Sequence, residues 1–387
     1  MAASPDETAR DVKPGQLASR AVRTLAPYVT GKPMTELERE LGITDIIKLA
    51  SNENPLGPSP LALAAMQRAL ADSWLYPDGN GHELKVALAR RHGISTSQLT
   101  LGNGSNDLIV LLAEAFLTPG TNAVYSQYAF AIYAIAVQAT GAAAKVVPAL
   151  PETSAMPFGH DLDAMLAAID ADTRLVYVAN PNNPTGTWCR TAQVLRFLER
   201  VPPTTIVVLD EAYFEYAREA DCPDAIELVA RFPNLVALRT FSKAHALAGL
   251  RVGYGVSDPS VADVLNRVRQ PFNVSLPALA GAEAALADAD QARRAMALVR
   301  EGKAVFEREL PKLGVKVYPS AGNFVLADVG PSGQAVYDGL LKLGVIVRPV
   351  GGYGLPRCVR ITIGTEPQNE RLVQSLAQVL RATAVRP

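Results

Sequence analysis

Three short apolar runs constrain this chain more than any other feature. Leu175-Val176-Tyr177-Val178, Ile206-Val207-Val208-Leu209 and Leu235-Val236-Ala237-Leu238 each end at polar residues, and helix-length stretches lie between them. A strand apolar on both faces must be covered on both, so such runs predict a mainly parallel sheet with helices on either side. In α/β folds of this kind, ligands bind at the carboxyl ends of the strands. Those ends read Asn180-Pro181-Asn182-Asn183-Pro184-Thr185-Gly186, Asp210-Glu211-Ala212-Tyr213 and Thr240-Phe241-Ser242-Lys243. A tight turn explains one Asn-Pro step, yet two such steps stand in the first of these segments. A lone Asp or Lys at a strand end reads as a solvated loop charge. All three ends in this order, followed by Gly249-Leu250-Arg251-Val252-Gly253, read as a site.

Other segments have their own signals. Ser59-Pro60 before an alanine- and leucine-rich run predicts a capped helix with Pro in its first turn. Gly81 to Arg91 predicts a second helix, with Leu84, Ala87 and Leu88 on one stripe. Asn106 to Leu117 predicts a third, opened by Gly102-Asn103-Gly104-Ser105. Backbone N–H groups at such a turn, together with the helix dipole, can hold an anion; Gly-rich turns also cap many helices that bind nothing. Helical pattern from Leu276 through Leu310 gives way to strands near Val315 to Tyr318, Phe324 to Ala327, Val345 to Val347 and Val359 to Ile363. That shift predicts a smaller α+β domain from about residue 276. The first residues, polar and containing proline, read as an untethered arm.

Charge and composition exclude whole classes. Lys plus Arg is 37 and Asp plus Glu is 38, for a net charge of −1, which argues against nonspecific binding of nucleic acid or an anionic membrane. No apolar run approaches the roughly 18 residues of a membrane span. Met1 to Arg20 has no apolar core of a secretory signal, so the expected location is cytoplasmic. Cys189, Cys222 and Cys358 are too scattered for a disulfide framework or a zinc site. His82, His92, His160 and His245 show no ligand spacing either, and no metal is expected.

In order and in spacing, these stretches resemble the fold-type I pyridoxal-phosphate aminotransferases. The resemblance runs from Leu49-Ala50-Ser51-Asn52-Glu53-Asn54-Pro55 to Arg360-Ile361-Thr362-Ile363-Gly364, most of the chain. Within that superfamily it is strongest to the histidinol-phosphate aminotransferases, through Pro27-Tyr28, Gly31-Lys32-Pro33, Tyr76-Pro77-Asp78, Gly102-Asn103-Gly104-Ser105 and Val359-Arg360-Ile361-Thr362-Ile363-Gly364. It implies a large cofactor domain over residues 50–275 with a mainly parallel seven-stranded sheet. It also implies a small α+β domain built from 26–49 and 276–387, and an N-terminal arm over 1–25.

The resemblance also implies roles. Lys243 would form the Schiff base with pyridoxal 5'-phosphate and shuttle a proton, which requires a lowered pKa because only the free amine is nucleophilic or basic. Asp210 would keep the pyridine nitrogen protonated, and Asn183 and Tyr213 would hydrogen-bond the ring's phenolic oxygen. Phe130 would stack on the ring, unless it is an ordinary core aromatic. Gly104, Ser105 and Asn106, with Ser242 and Arg251, would hold the phosphate. Relatives often carry Asp at the position of Asn106, so a side-chain contact there is in doubt. Tyr76 would reach the phosphate in a neighbouring subunit, making the active sites shared across a homodimer.

For substrate, Arg360 matches the arginine that binds a carboxylate, a role suited to its planar bidentate geometry. Arg348 matches a second substrate arginine, against the plainer reading of a surface charge at a strand end. Tyr28 matches an N-terminal tyrosine near the substrate. Arg357 reads as solvent-exposed, His82 as a helix-start surface residue, and His245 as packing rather than substrate contact. The implied reaction moves an amino group from L-histidinol phosphate to 2-oxoglutarate by a ping-pong route in histidine biosynthesis. Aromatic amino acid transamination is the first alternative, and decarboxylation of a phosphorylated amino acid the second. A pyridoxal-phosphate-reading DNA-binding regulator would need an extra N-terminal module. Only about fifty residues precede Asn52, and they show no basic helix-turn-helix pattern.

Overall fold

The computed structural model describes residues 13–384. Strand β1 (Ile47–Lys48) lies apart from a seven-stranded sheet. That sheet comprises β2 (Leu99–Gly102), β3 (Asn122–Ser126), β4 (Ala143–Val147), β5 (Thr173–Ala179), β6 (Ile206–Asp210), β7 (Leu235–Thr240) and β8 (Gly253–Val256). Its spatial order is β2-β8-β7-β6-β5-β3-β4. Neighbours pair in parallel except at β8, which runs antiparallel to β7 and β2.

The three apolar runs are adjacent strands at the centre of this sheet. Alternate residues point to opposite faces, and each face has its own core. Val176, Val178, Val207, Leu209, Leu235 and Ala237 pack on one side, while Leu175, Tyr177, Val208, Val236 and Leu238 pack on the other. Register then aligns the strand ends, since Ala179 lies opposite Asp210 and Asp210 opposite Leu238. The polar segments that follow β5, β6 and β7 therefore meet at one edge of the sheet.

The early helices form where the pattern places them. Helix Pro60–Leu70 starts at Ser59, whose hydroxyl accepts from the Ala62 N–H at 3.1 Å. Helix His82–His92 buries Leu84 and Leu88, and helix Ser105–Phe116 follows the Gly-rich turn.

The smaller unit contains β9 (Lys316–Val317), β10 (Phe324–Asp328), β11 (Val345–Ile346), β12 (Arg348–Pro349) and β13 (Cys358–Thr362). Four of these make an antiparallel sheet in the order β12-β13-β10-β9, while β11 pairs in parallel with β1. Leu37 packs against Ile346 as well, so sequence from both ends of the chain contributes to one unit.

One expectation needs correction. The helical stretch from Leu276 to Leu310 is two helices, Leu276–Ala287 and Ala289–Glu309, broken at Asp288. The Asp288 carboxylate caps the second by accepting from the Gln291 N–H. Ala278, Ala282 and Ala285 of the first helix belong to the core of the seven-stranded sheet. Only the second helix, through Ala295, Val299 and Phe306, packs into the small core. The large core thus runs past 276, because an alanine-rich helix has no stripe to show which core it serves. Of the untethered arm expected over the first twenty residues, 1–12 lie outside the described residues; just past that stretch, the Gln138 carboxamide donates to the Ala21 carbonyl at 3.0 Å and to Thr24 Oγ1 at 3.1 Å.

Candidate active site

A cavity of about 290 Å³ opens at the carboxyl ends of β5, β6 and β7. Of the residues singled out above for cofactor or substrate, all except Gly104 and Tyr76 line it.

Asp210 ends β6 at the cavity floor. Its Oδ2 accepts from the Tyr133 hydroxyl at 2.8 Å, while its buried Oδ1 has no partner. Burial pushes the carboxyl above the usual carboxylate range, and the hydrogen bonds from Tyr133 and the Ala212 N–H oppose that rise, as does the Lys243 charge. Lys243 donates from Nζ to the Ser51 carbonyl at 3.2 Å. Desolvation, assisted by the positive charges of Arg360 and Arg251, holds its amine down to about 8, far enough for a sizeable free-base fraction near neutrality.

The segment after β5 is more than a turn. The Asn180 side chain accepts from the Cys189 N–H at 2.7 Å and donates to the Cys189 carbonyl at 3.2 Å, closing the loop on itself. Both Asn-Pro bonds, Asn180-Pro181 and Asn183-Pro184, are cis. The fixed loop turns Asn183 into the cavity, where its carboxamide oxygen accepts from Arg360. Tyr213 lies buried beside it, with the Lys243 ammonium 5.8 Å from its ring centroid.

One end of the cavity could hold an anion. Gly104 supplies no side-chain cap to helix Ser105–Phe116; the Asp107 N–H donates to the Gly104 carbonyl at 3.2 Å, and the N–H groups of Ser105 and Asn106 face the turn ahead of it. Gly104 has φ of 80°, and a Cβ there would stand 2.5 Å from Arg251 Nη2. That backbone conformation favours glycine, and the missing Cβ leaves room for the guanidinium against the turn. Arg251 itself donates to Ser242 Oγ at 3.2 Å and to the Ala248 carbonyl at 3.1 Å. Gly253 lets β8 pass beneath, since its Cβ would lie 2.6 Å from the Ser105 nitrogen.

A second cationic group lies on the small unit. Arg360 on β13 is buried and donates to Asn183 Oδ1 and the Ala50 carbonyl; its Nε has no partner. Arg348 on β12 donates to the Val29 carbonyl at 2.7 Å and stands 6.0 Å from the Tyr28 ring centroid. It is not an isolated surface charge. Tyr28 in turn meets Phe130 edge to face at 6.2 Å, so Phe130 is a cavity wall as well as a packing residue.

Other residues fall elsewhere. Tyr76 is 82% exposed and stacks on Phe272 at 4.7 Å, outside the cavity of its own chain. His245 is buried against Phe241 in a separate polar cavity, with its pKa lowered by desolvation. Arg357 pairs with Asp328 at the surface. Among the described residues, no group of three or more His, Cys, Asp or Glu side chains is placed to hold a metal, and no helix is long and apolar enough to cross a membrane. Sequence reasoning missed Tyr133, the partner of Asp210, and the work of residues 50–52, whose backbone or side chains reach Arg360, Lys243 and Tyr213. Asn52 stood inside a recognised motif, but nothing in the spacing said what it touches.

These features fit pyridoxal phosphate. The unpartnered Asp210 oxygen suits a protonated ring nitrogen, and the glycine turn with Ser242 and Arg251 suits a phosphate.

Comparison with known proteins agrees with that fit. A family model described as aminotransferase class I and II matches residues 44–376, and the chain belongs to that family. More narrowly, the chain is 54% identical over 366 residues to histidinol-phosphate aminotransferase 2 of Pseudomonas fluorescens strain Pf0-1, covering 94% of this chain and 97% of that one. The corresponding protein of Pseudomonas aeruginosa is also 54% identical, over 94% and 98% of the two chains. A solved histidinol-phosphate aminotransferase of Sinorhizobium meliloti, in complex with pyridoxal-5'-phosphate, superposes with a TM-score of 0.87. It is 32% identical, and the match covers 95% of this chain and 98% of that one.

Proposed function

We propose that this chain transfers the amino group of L-histidinol phosphate to 2-oxoglutarate, giving imidazole-acetol phosphate and glutamate, with pyridoxal 5'-phosphate as cofactor. The observation that carries the reading is the pairing of two cationic groups around Lys243. Arg251 with Ser242 and the Gly104 turn would hold the cofactor's phosphate, and Arg348 with Arg360 would hold the anionic end of each substrate in turn. When bound, the cofactor supplies an electron sink for the electrons of the donor's broken C–H bond.

The remaining work falls to side chains. Lys243 Nζ takes the proton from the amine-bearing carbon and returns it on the other side of the exchange. Asp210, anchored through Oδ2, presents Oδ1 to the ring nitrogen and keeps it protonated. Asn183 and Tyr213 would bond the ring oxygen, and Phe130 would cover a ring face. Because both substrates use one cavity, they take turns in it, which is ping-pong order. We also propose a cytoplasmic homodimer in which Tyr76, exposed beside Trp74 and Leu75, completes the phosphate site of a second copy.

Initial rates with purified protein test this reading. Histidinol phosphate with 2-oxoglutarate should give parallel double-reciprocal plots. A kcat/KM for phenylalanine higher by orders of magnitude would instead make the chain an aromatic amino acid aminotransferase.

A further inference from the structure

We infer that Asn52 is a positioning residue that fixes the direction of the Tyr213 O–H and ties it to the small unit. The inference rests on the reading of Tyr213 as a donor to the cofactor's ring oxygen.

Asn52 is 1% exposed and has φ of 55°, a conformation that asparagine tolerates better than most residues. Each of its polar groups is engaged. Its N–H donates to Thr362 Oγ1 at 2.9 Å, and its carbonyl accepts from Asn323 Nδ2 at 3.0 Å. Its Oδ1 accepts from the Thr362 hydroxyl at 3.0 Å, and its Nδ2 donates to the Tyr213 hydroxyl oxygen at 2.9 Å. The order of these bonds decides the orientation. Thr362 Oγ1 accepts from the Asn52 N–H and gives its one hydroxyl proton to Oδ1, and the NH₂ group faces Tyr213. The phenol oxygen then accepts from Asn52, which leaves its own proton for the cavity that Tyr213 lines.

The contact also acts on acidity. Burial pushes the Tyr213 phenol up to about 12, and the Asn52 donation works against that rise, making the phenol a better donor. Thr362 ends β13 and Asn323 precedes β10, whereas Tyr213 follows β6. A side chain bonded to Thr362 on one side of that boundary and to Tyr213 on the other makes the phenol's direction depend on how the two units meet.

A double-mutant cycle tests this. Asn52→Gly keeps a residue suited to positive φ and removes the side chain with its carboxamide; it is combined with Tyr213→Phe in the cofactor-loaded protein. The readouts are kcat and KM for histidinol phosphate and the pH midpoint of the bound cofactor's visible absorbance. Asn52→Gly should lower kcat roughly three- to tenfold with little change in KM and move the midpoint to higher pH. In the Tyr213→Phe background, both effects should shrink below about twofold. Fully additive effects with an impaired Tyr213→Phe would overturn the role of Asn52 alone. A Tyr213→Phe protein like wild type would overturn the reading of Tyr213 and this inference with it. Thr362→Val, which removes both the donor to Asn52 Oδ1 and the acceptor of the Asn52 N–H, should show the same loss of additivity in kcat and midpoint, with a separate loss of thermal stability from the unpaired N–H. It replaces Asn52→Gly in the cycle should that variant not fold.

Discussion

The Tyr133 hydroxyl holds Asp210 Oδ2 at 2.8 Å while Oδ1, buried beside it, has no partner in the chain. The two residues are 77 positions apart, and their contact divides the carboxylate into an anchored oxygen and an available one. Tyr133 also stacks on Tyr177 with ring centroids 4.7 Å apart, so the anchor is itself held by β5.

Tyr133→Phe should therefore keep the fold and weaken the site. A hydrogen bond to a charged group is worth about 1.5–3 kcal/mol, so cofactor affinity and kcat should each fall roughly tenfold or more. Equilibrium titration of the cofactor-free protein with pyridoxal phosphate, followed by steady-state rates, measures both. Wild-type values would remove Tyr133 from the account.

Lys243 sets a pH dependence. With its amine lowered to about 8 by burial, the free base grows as pH rises through that value, well below the ordinary lysine range. The rate at which cofactor-free protein captures pyridoxal phosphate should rise with pH to a midpoint near about 8 and level off above it. Stopped-flow absorbance at a series of pH values gives the midpoint, and one in the ordinary lysine range would contradict the burial argument.

Gly104→Ala should be costly for two reasons. The residue has φ of 80°, and the new methyl would meet Arg251 Nη2 at 2.5 Å. Strain of about 1–3 kcal/mol is expected from the backbone alone, and displacement of Arg251 should weaken cofactor binding further. Thermal unfolding of the cofactor-free protein reads the first effect, and titration reads the second. A variant unchanged in both would show that the turn is not the phosphate site.

Arg348 and Arg360 should respond differently to substitution. Arg348→Ala removes one cation and frees Val29, so KM for the phosphate-bearing donor should rise roughly tenfold or more, with a smaller change for 2-oxoglutarate. Arg360→Lys removes the fork that reaches Asn183 and Ala50 together, and should impair both substrates. Equal responses from the two variants would merge the roles separated here.

The dimer proposal predicts complementation. Tyr76→Ala and Lys243→Ala homodimers should both be weak, whereas subunits mixed after dissociation should regain activity, since one site per hybrid dimer keeps both residues. Sedimentation confirms that hybrids form, and hybrids without recovered activity would place Tyr76 outside the site.

Legibility followed the range of each interaction. Asn183, Asp210 and Lys243 could be placed because strands apolar on both faces declare themselves locally and the residues at their ends inherit a position from the sheet. Gly104 and Arg251 were legible as motif members, although the contact between them, for which the missing Cβ leaves room, was not. The alanine-rich helix Leu276–Ala287 serves the larger core, and its composition, lacking a distinguishing face, does not show it. The tether of Ala21 and Thr24 to Gln138 joins segments more than a hundred residues apart, and no spacing rule spans that distance.

By itself the sequence determined the class of fold, the edge of the sheet where chemistry sits, and the residue types that chemistry needs. The first two follow from hydrophobic periodicity and from turn and helix-start signals, which act over a few residues, and the third from the resemblance to the aminotransferases. Only the tertiary structure decided which groups touch: Tyr133 with Asp210, Asn52 with Tyr213, Arg360 with Asn183. Hydrogen bonds depend on distance and angle, and these are set when two sheets and the chain between them pack. A local pattern cannot contain them.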